Sequence, residues 1–134
     1  MKKILLIEDE FFIADLYKRI LERAGFVVMI AWNGEQGLQM ARENPDLILL
    51  DIMLPRLNGL QLLKKLKSES GIKNIPVVLL TNLGQANIIK EAFDGGAQGY
   101  LLKVRLNPED LIEQVNIFLT NPDFKMDYNK LTFD

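Results

Sequence analysis

The sequence predicts an α/β fold in which helices cover both faces of an open, doubly wound, five-stranded parallel sheet. Four short runs contain almost only apolar residues, at 4–7, 47–50, 77–80 and 100–102, and a weaker run lies at 27–30. These runs do not alternate apolar with polar residues, which is typical of strands covered on both faces. Segments with helical spacing of apolar residues separate them, and this order predicts right-handed strand–helix units.

The composition restricts both the class of protein and its chemistry. The chain has 134 residues, 49% hydrophobic and 25% charged, which suits a single globular domain. Its net charge of −2 does not favour direct binding to nucleic acid or to an anionic membrane. Cys and His are absent, which excludes disulfides, thiolate nucleophiles, Ser-His-Asp triads and His- or Cys-based metal sites. Carboxylates, Lys, hydroxyls and hard cations remain.

The beginning of the chain does not have the pattern of a signal peptide. Lys2 and Lys3 supply positive charge, but the apolar run at 4–7 stops at the acidic residues 8–10. No run approaches the roughly 18 apolar residues of a membrane span. We therefore expect a cytoplasmic protein that does not bind membranes.

In the first half of the chain, two helices are predicted between the strands. The first helix is expected to bury one apolar side, formed by Ile13, Leu16, Tyr17, Ile20, Leu21 and Ala24. Gly25 follows at a position typical of a helix C-terminus. The second helix is predicted over 35–43, after the turn signal Asn33-Gly34 and before Pro45.

In the second half, three more helices are predicted. The third carries Leu60, Leu63 and Leu66 and ends before Gly71. The apolar residues of the fourth are Ile88, Ile89, Ala92 and Phe93. In the fifth helix, Asn107 is expected to cap the N-terminus and Pro108 to occupy the first position. Its predicted buried stripe consists of Leu111, Val115 and Phe118.

Polar side chains follow four of the five predicted strands. Glu8, Asp9 and Glu10 come after the first strand, and the residues after the third, fourth and fifth strands are Asp51, Thr81 and Lys103. Taken singly, each has a simple structural explanation as a cap, a turn residue or a solvated side chain. Ligands of open α/β sheets bind at the carboxyl ends of strands, so these residues are expected to face one crevice.

Together these residue types favour a magnesium-dependent phosphoryl site. Clustered carboxylates repel one another unless a cation lies among them. Two or three carboxylate oxygens, a carbonyl oxygen and several waters suit Mg²⁺. A nearby Lys and Thr can then bind the oxygens of a phosphoryl group that one carboxylate carries.

The chain resembles the receiver domain of response regulators in two-component signalling, in particular the stand-alone, chemotaxis-regulator-like receivers. Five segments carry the resemblance: ILLIEDE at 4–10, PDLILLD at 45–51, LPRLNG at 54–59, VVLLT at 77–81 and GAQGYLLK at 96–103. It implies a flavodoxin-like receiver fold with strand order 2-1-3-4-5. We expect a receiver domain over 1–120 and a C-terminal tail over 121–134, without an effector domain.

The resemblance also implies a role for each site residue. Asp51 is expected to accept the phosphoryl group. Glu8 and Asp9 correspond to the acidic pair that holds Mg²⁺, with Asp51 and the backbone carbonyl of Met53 as further ligands.

Three more roles follow from the same resemblance. Thr81 corresponds to the switch hydroxyl that moves onto the phosphoryl oxygens. Tyr100 corresponds to the aromatic residue that changes rotamer with it. Lys103 is expected to contact the phosphoryl group.

The partners implied by the resemblance explain the missing His. The donor His is expected on a sensor histidine kinase or phosphotransfer protein, and the face formed by helix 4, strand 5 and helix 5 is expected to bind a downstream protein effector. Direct binding to nucleic acid or to a membrane is not expected, and homodimer formation on phosphorylation stays open. Catalysis is expected only for the domain's own phosphotransfer and dephosphorylation.

The sequence departs from the family pattern at three positions. Val104 follows Lys103 where the family normally has Pro after a cis bond, and we expect a trans bond because a cis bond without Pro costs about 3–4 kcal/mol. Asn82 follows Thr81 where a small residue is usual, and is expected to crowd the entrance to Asp51. Asn58 replaces an Asp, but the turn requirement is assigned to Gly59.

Two other functions stay open at this point. A degenerate receiver would act as a phosphorylation-independent protein-interaction module. A flavodoxin-like nucleotide binder fits less well, because the acidic loop 8–10 repels phosphate.

The segment after the fifth helix has more than one interpretation. The tail 121–134 contains Phe124, Met126, Tyr128, Leu131 and Phe133. It either docks on the domain or frays, or else it pairs with a sheet edge or with a second copy of the chain. A third interpretation is that the chain is a piece of a longer protein.

Overall fold

Strands and helices alternate along the chain in the structure, a computed structural model that describes residues 1–131. The strands are β1 (Lys3–Ile7), β2 (Val27–Ala31), β3 (Leu47–Leu50), β4 (Val77–Thr81) and β5 (Gly99–Leu102). The helices are α1 (Phe11–Arg23), α2 (Gly34–Ala41), α3 (Gly59–Ser68), α4 (Ala86–Asp94) and α5 (Pro108–Thr120). Short 3₁₀ turns follow at Lys103–Arg105 and Tyr128–Lys130.

The five strands form one parallel sheet in the order β2-β1-β3-β4-β5, which confirms the predicted fold class and strand order. Ile7 at the end of β1 lies beside Leu50 at the end of β3. Thr81 at the end of β4 lies beside Leu102 at the end of β5. Because the strands end together, the residues that follow them meet at one edge of the sheet.

The apolar runs are buried because both faces of the sheet are covered. In β1, Ile4 and Leu6 pack into a core with α1 and α5, whereas Leu5 and Ile7 pack into a core with α2, α3 and α4. Successive side chains of a strand point to opposite faces, so an uninterrupted apolar run supplies both cores. Within residues 1–131, no helix combines the length and apolarity needed to cross a membrane.

The predicted N-terminus of the fifth helix is confirmed. Asn107 caps α5 and forms a reciprocal capping box with Asp110, with Pro108 at the first helical position. Asn58 forms the same motif with Gln61 at the start of α3. Such caps satisfy N–H groups that have no partner within a helix.

The predicted buried side of the first helix is wrong at two residues. Leu16 is 51% exposed, and Ala24 is also exposed. Leu16 lines a groove between α1 and α5 instead of contacting the sheet. The apolar arc of α1 is therefore wider than the stripe that its packing on the sheet covers.

The described part of the tail packs beside the residue that precedes β5 and against α4. The N–H of Met126 donates to the carbonyl of Gln98 at 2.8 Å, and the Gln98 side-chain amide donates to the carbonyl of Phe124 at 3.0 Å. The ring of Tyr128 stacks on Phe93 of α4, with centroids 5.9 Å apart. The expectation that the tail docks is confirmed for residues 121–131, with one backbone bond to the sheet edge.

Pairing of the tail with a second copy stays a prediction. Phe133 lies outside the described residues.

Candidate functional site

The predicted site residues meet at the carboxyl edge of the sheet. Glu8 follows β1, Asp51 follows β3, Thr81 ends β4 and Lys103 follows β5. Their backbone positions are fixed by the strand register, so the sheet itself places carboxylates, a hydroxyl and an amine close together.

An ammonium group bridges the two buried carboxylates. Lys103 Nζ donates to Glu8 Oε1 at 2.6 Å and to Asp51 Oδ2 at 2.7 Å. The side chains of Lys103, Glu8 and Asp51 are only 11%, 1% and 8% exposed. Charge-assisted hydrogen bonds of this length compensate for part of the cost of burying three ionisable groups.

The environment separates the pKa values of the two carboxyl groups. Burial and hydrogen bonding with Asp51 raise the pKa of Glu8 from 4.5 to about 7, although Lys103 opposes this rise. Burial also acts to raise the pKa of Asp51, but hydrogen bonds with Glu8 and Lys103 outweigh it and lower that pKa. Asp51 is therefore the ionised carboxylate, which is the form that a nucleophile requires.

The amine is kept charged by the same contacts. Burial acts to lower the pKa of Lys103, but the hydrogen bonds to Asp51 and Glu8 outweigh it and raise that pKa. Lys103 therefore remains an ammonium group across the neutral pH range.

A pocket of about 230 Å³ opens onto Asp51 from solvent. It is lined by Asp9, Glu10, Asp51, Met53, Asn82 and Lys103. The backbone N–H of Met53 donates to Asp51 Oδ1 at 3.1 Å, which fixes the orientation of the carboxylate. The pocket therefore gives a small group access to Asp51 from solvent.

The two acidic residues predicted to hold Mg²⁺ differ in their burial. Asp9 is exposed at the pocket, whereas Glu8 is buried against Lys103 and its Oε2 has no hydrogen-bond partner. Within residues 1–131, no three Asp or Glu side chains converge to form a metal cage by themselves. Mg²⁺ commonly binds one or two carboxylates and retains several waters. Asp9, Asp51 and the backbone at Met53 therefore fit such an ion, with the Glu8 carboxylate behind them.

The backbone of Leu83 connects the two predicted switch residues. Its N–H donates to the hydroxyl oxygen of Thr81 at 3.4 Å, and its carbonyl accepts a hydrogen bond from the Tyr100 hydroxyl at 2.5 Å. Burial and the Asp51 charge raise the pKa of Tyr100 to about 12, so the phenol remains a donor. The two predicted switch residues are thus connected through the backbone of a single residue, Leu83.

Glycine is required at position 59 because the backbone there lies very close to the backbone of Asp51 and Ile52. A Cβ atom there would collide with the carbonyl oxygen of Asp51 and with the backbone of Ile52. The N–H of Gly59 also donates to the carbonyl of Ile52 at 2.9 Å. The sequence-based explanation of Gly59 as a turn residue is therefore wrong in its reason, because α3 begins directly against the backbone of Asp51.

Sequence reasoning missed two contacts near the carboxyl ends of the strands. The rings of Phe11 and Trp32 stack with centroids 5.9 Å apart. The N–H of Val104 donates to Asn82 Oδ1 at 3.1 Å. The aromatic residues at the start of α1 were a usable signal, but nothing in the sequence connects residues 82 and 104. The peptide bonds of residues 1–131 are all trans, which confirms the trans Lys103–Val104 bond.

The raised pKa of Glu8 predicts a pH-dependent stability in Mg²⁺-free buffer. The folded state binds a proton more tightly than the unfolded chain, so this stabilisation is complete below about pH 4.5 and is lost as pH rises through about 7. The loss is on the order of 2–3 kcal/mol. The lowered pKa of Asp51 affects the free energy of unfolding only at more acidic pH.

Urea denaturation at a series of pH values between 4.5 and 8 measures this slope. The Glu8→Gln variant is expected to have a flat profile over that range. An equally steep profile in Glu8→Gln would assign the effect to another group.

Known proteins are similar to this chain in sequence and in structure. The sequence profile of the response regulator receiver domain matches residues 4–116. The chain is 38% identical over 124 residues to the DNA-binding dual master transcriptional regulator RpaA of Synechocystis sp., with 92% of this chain and 51% of that protein covered. It is 36% identical over 119 residues to the transcriptional regulatory protein CpxR of Escherichia coli, with 89% and 50% covered. The chain thus spans about half the length of the curated relatives it matches.

Solved structures agree with this assignment. The chemotaxis protein CheY4 of Vibrio cholerae has a TM-score of 0.82 at 29% identity, covering 87% of this chain and 98% of that chain. The receiver domain of the Francisella response regulator 1452 has a TM-score of 0.83 at 31% identity, covering 92% and 100%. The chain belongs to the response regulator receiver domain family of two-component signalling.

Proposed function

We propose that this receiver accepts a phosphoryl group on Asp51 from the His of a sensor histidine kinase or phosphotransfer protein. The observation that carries this proposal is the Asp51 carboxylate, which lines an open pocket and accepts a hydrogen bond from Lys103 Nζ at 2.7 Å. A structural ion pair would not need access from solvent. The receiver occupies residues 1–120 in this proposal, followed by the tail.

The transfer balances without any further reagent. An oxygen of Asp51 attacks the phosphorus atom and forms the P–O bond, while the P–N bond to the donor His breaks. The donor ring carries a proton on its other nitrogen, so it leaves with the electron pair as a neutral imidazole. The Met53 N–H and the Lys103 ammonium hold the carboxylate in place during this step.

Asp9, Asp51 and the backbone carbonyl of Met53 would hold Mg²⁺, with Glu8 behind them. When bound, Mg²⁺ supplies positive charge that neutralises the phosphoryl oxygens. Lys103 supplies a second positive charge on the other side of Asp51.

The new phosphoryl group changes the surface through Thr81. It adds a charge of about −1.5 to −2 and several acceptor oxygens next to Asp51. The Thr81 hydroxyl would leave the N–H of Leu83 for these oxygens, and the Leu83 carbonyl would release Tyr100. The face formed by α4, β5 and α5 would then bind a downstream protein effector, or a second copy of the chain.

The chain itself does not need to contact nucleic acid or a membrane in this proposal, and it acts in the cytoplasm. DNA binding is stated for RpaA as a whole protein, of which this chain matches about half. Catalysis is limited to the domain's own phosphotransfer and dephosphorylation.

Removal of Mg²⁺ tests the proposal. Incubation with a small phosphodonor such as phosphoramidate or acetyl phosphate is expected to label the chain in Mg²⁺, and excess chelator is expected to slow labelling by on the order of 100-fold. Restoring Mg²⁺ should restore the rate. A folded chain that shows no labelling in either condition would instead support the phosphorylation-independent interaction module.

A further inference from the structure

Asn82 and Val104 form a hydrogen bond across the rim of the pocket. The backbone N–H of Val104 donates to Asn82 Oδ1 at 3.1 Å. Asn82 directly follows Thr81 at the end of β4, and Val104 directly follows Lys103 after β5. The bond therefore joins the loop that follows Thr81 to the turn that begins at Lys103.

Core packing does not account for this contact. Val104 is 75% exposed, and Asn82 is exposed as well. The N–H of Val104 lies in the first turn of the 3₁₀ segment Lys103–Arg105, where N–H groups have no partner within the turn. Asn82 supplies the acceptor from a different loop, so it acts as a cap for that turn.

The capped turn holds the backbone of Lys103. Lysine side chains lose much rotamer freedom when they are fixed between two acceptors, as Lys103 is between Glu8 and Asp51. Another bond of the turn, from the Leu106 N–H to the Lys103 carbonyl, is long at 3.3 Å. The Asn82 bond is shorter and lies directly next to Lys103, so it restricts the position from which the ammonium group reaches the carboxylates.

We propose that Asn82 is a positioning residue, which holds Lys103 on Glu8 and Asp51 through the backbone amide of Val104. Asn82 does not contact either carboxylate in this role. Part of the test rests on the proposed function, because it uses phosphorylation of Asp51, but two readouts do not.

The variants separate the hydrogen bond from the size of the side chain. Asn82 also lines the pocket, so a change to Ala would widen the entrance to Asp51. Asn82→Leu keeps a similar volume and removes the acceptor, whereas Asn82→Asp keeps an acceptor oxygen. Asn87→Leu, at an exposed position of α4, is the matched control.

Two local measurements test the bond and the positioning separately. Amide hydrogen exchange at Val104 reports the bond, and acylation of Lys103 by limiting acetic anhydride, followed by peptide mass spectrometry, reports how firmly the amine is held. Both rates are expected to rise about fivefold in Asn82→Leu, the size of effect that a neutral hydrogen bond gives. They should stay within about twofold of the unaltered chain in Asn82→Asp and Asn87→Leu.

Either of two results would overturn the positioning role. One is unchanged exchange at Val104 in Asn82→Leu, and the other is faster exchange at Val104 with unchanged acylation of Lys103. Labelling of Asp51 by a phosphodonor is expected to slow about fivefold in Asn82→Leu, and equal rates in Asn82→Leu and Asn87→Leu would also count against the proposal. If the unaltered chain is never labelled, the proposed function fails, while the exchange and acylation rates still decide the role of Asn82.

Discussion

Replacement of Asp51 by Asn is expected to abolish covalent phosphorylation and to leave the fold intact. Asn has nearly the same shape as Asp, so the hydrogen bond from the Met53 N–H and the packing around the strand end can persist. The amide oxygen is too weak a nucleophile to form the acyl phosphate. The labelled fraction after incubation with a phosphodonor and Mg²⁺ should fall by more than about 100-fold.

A second aspartate supplies the control for this experiment. Asp94 lies on α4 in an exposed ion pair with Lys90. Asp94→Asn removes the same charge and should leave labelling unchanged. Labelling that survives in Asp51→Asn, with circular dichroism showing a folded chain, would move the acceptor to another residue.

Replacement of Lys103 by Met is expected to cause a large loss of stability. The change keeps an apolar stem of similar length but leaves Glu8 and Asp51 buried without their shared cation. Breaking a buried ion pair in this way costs about 3–5 kcal/mol. Protonation of Glu8 recovers part of this loss, because the pKa of Glu8 rises further once Lys103 no longer lowers it. Urea denaturation followed by the fluorescence of Trp32 measures the loss.

Two further variants serve as controls for this result. Lys90→Met breaks an exposed pair and should cost less than about 1 kcal/mol. Adding Glu8→Gln to Lys103→Met removes one of the two uncompensated carboxyl groups and should restore part of the stability. A loss in Lys103→Met no greater than in Lys90→Met would contradict the bridging role of the ammonium group.

The fold and the strand-end residues could be predicted because each depends on local pattern. The run at 47–50 is buried on both faces, and that requirement is visible as an unbroken apolar stretch. Asp51 follows it directly, and a parallel sheet brings the ends of neighbouring strands together. The same reasoning predicts Glu8 and Lys103 at the site, because they follow β1 and β5 directly.

Other features depend on contacts between distant residues, which no local pattern encodes. The position of Lys103 Nζ between Glu8 and Asp51 results from the balance of burial and charge at the strand ends. The bond from the Val104 N–H to Asn82 depends on how two loops approach each other. Leu16 fits the helical period of a buried stripe, but its exposure is decided by the groove between α1 and α5.

The most direct test of phosphorylation is to locate the phosphoryl group in the unaltered chain. After treatment with a phosphodonor and Mg²⁺, borohydride reduces an acyl phosphate to the alcohol, and peptide mass spectrometry identifies the reduced residue. Reduction is expected at Asp51, and only when both phosphodonor and Mg²⁺ are present. Reduction at Asp9 or at any other residue, or none in a folded chain that contains Mg²⁺, would contradict the assignment of Asp51 as the phosphoryl acceptor.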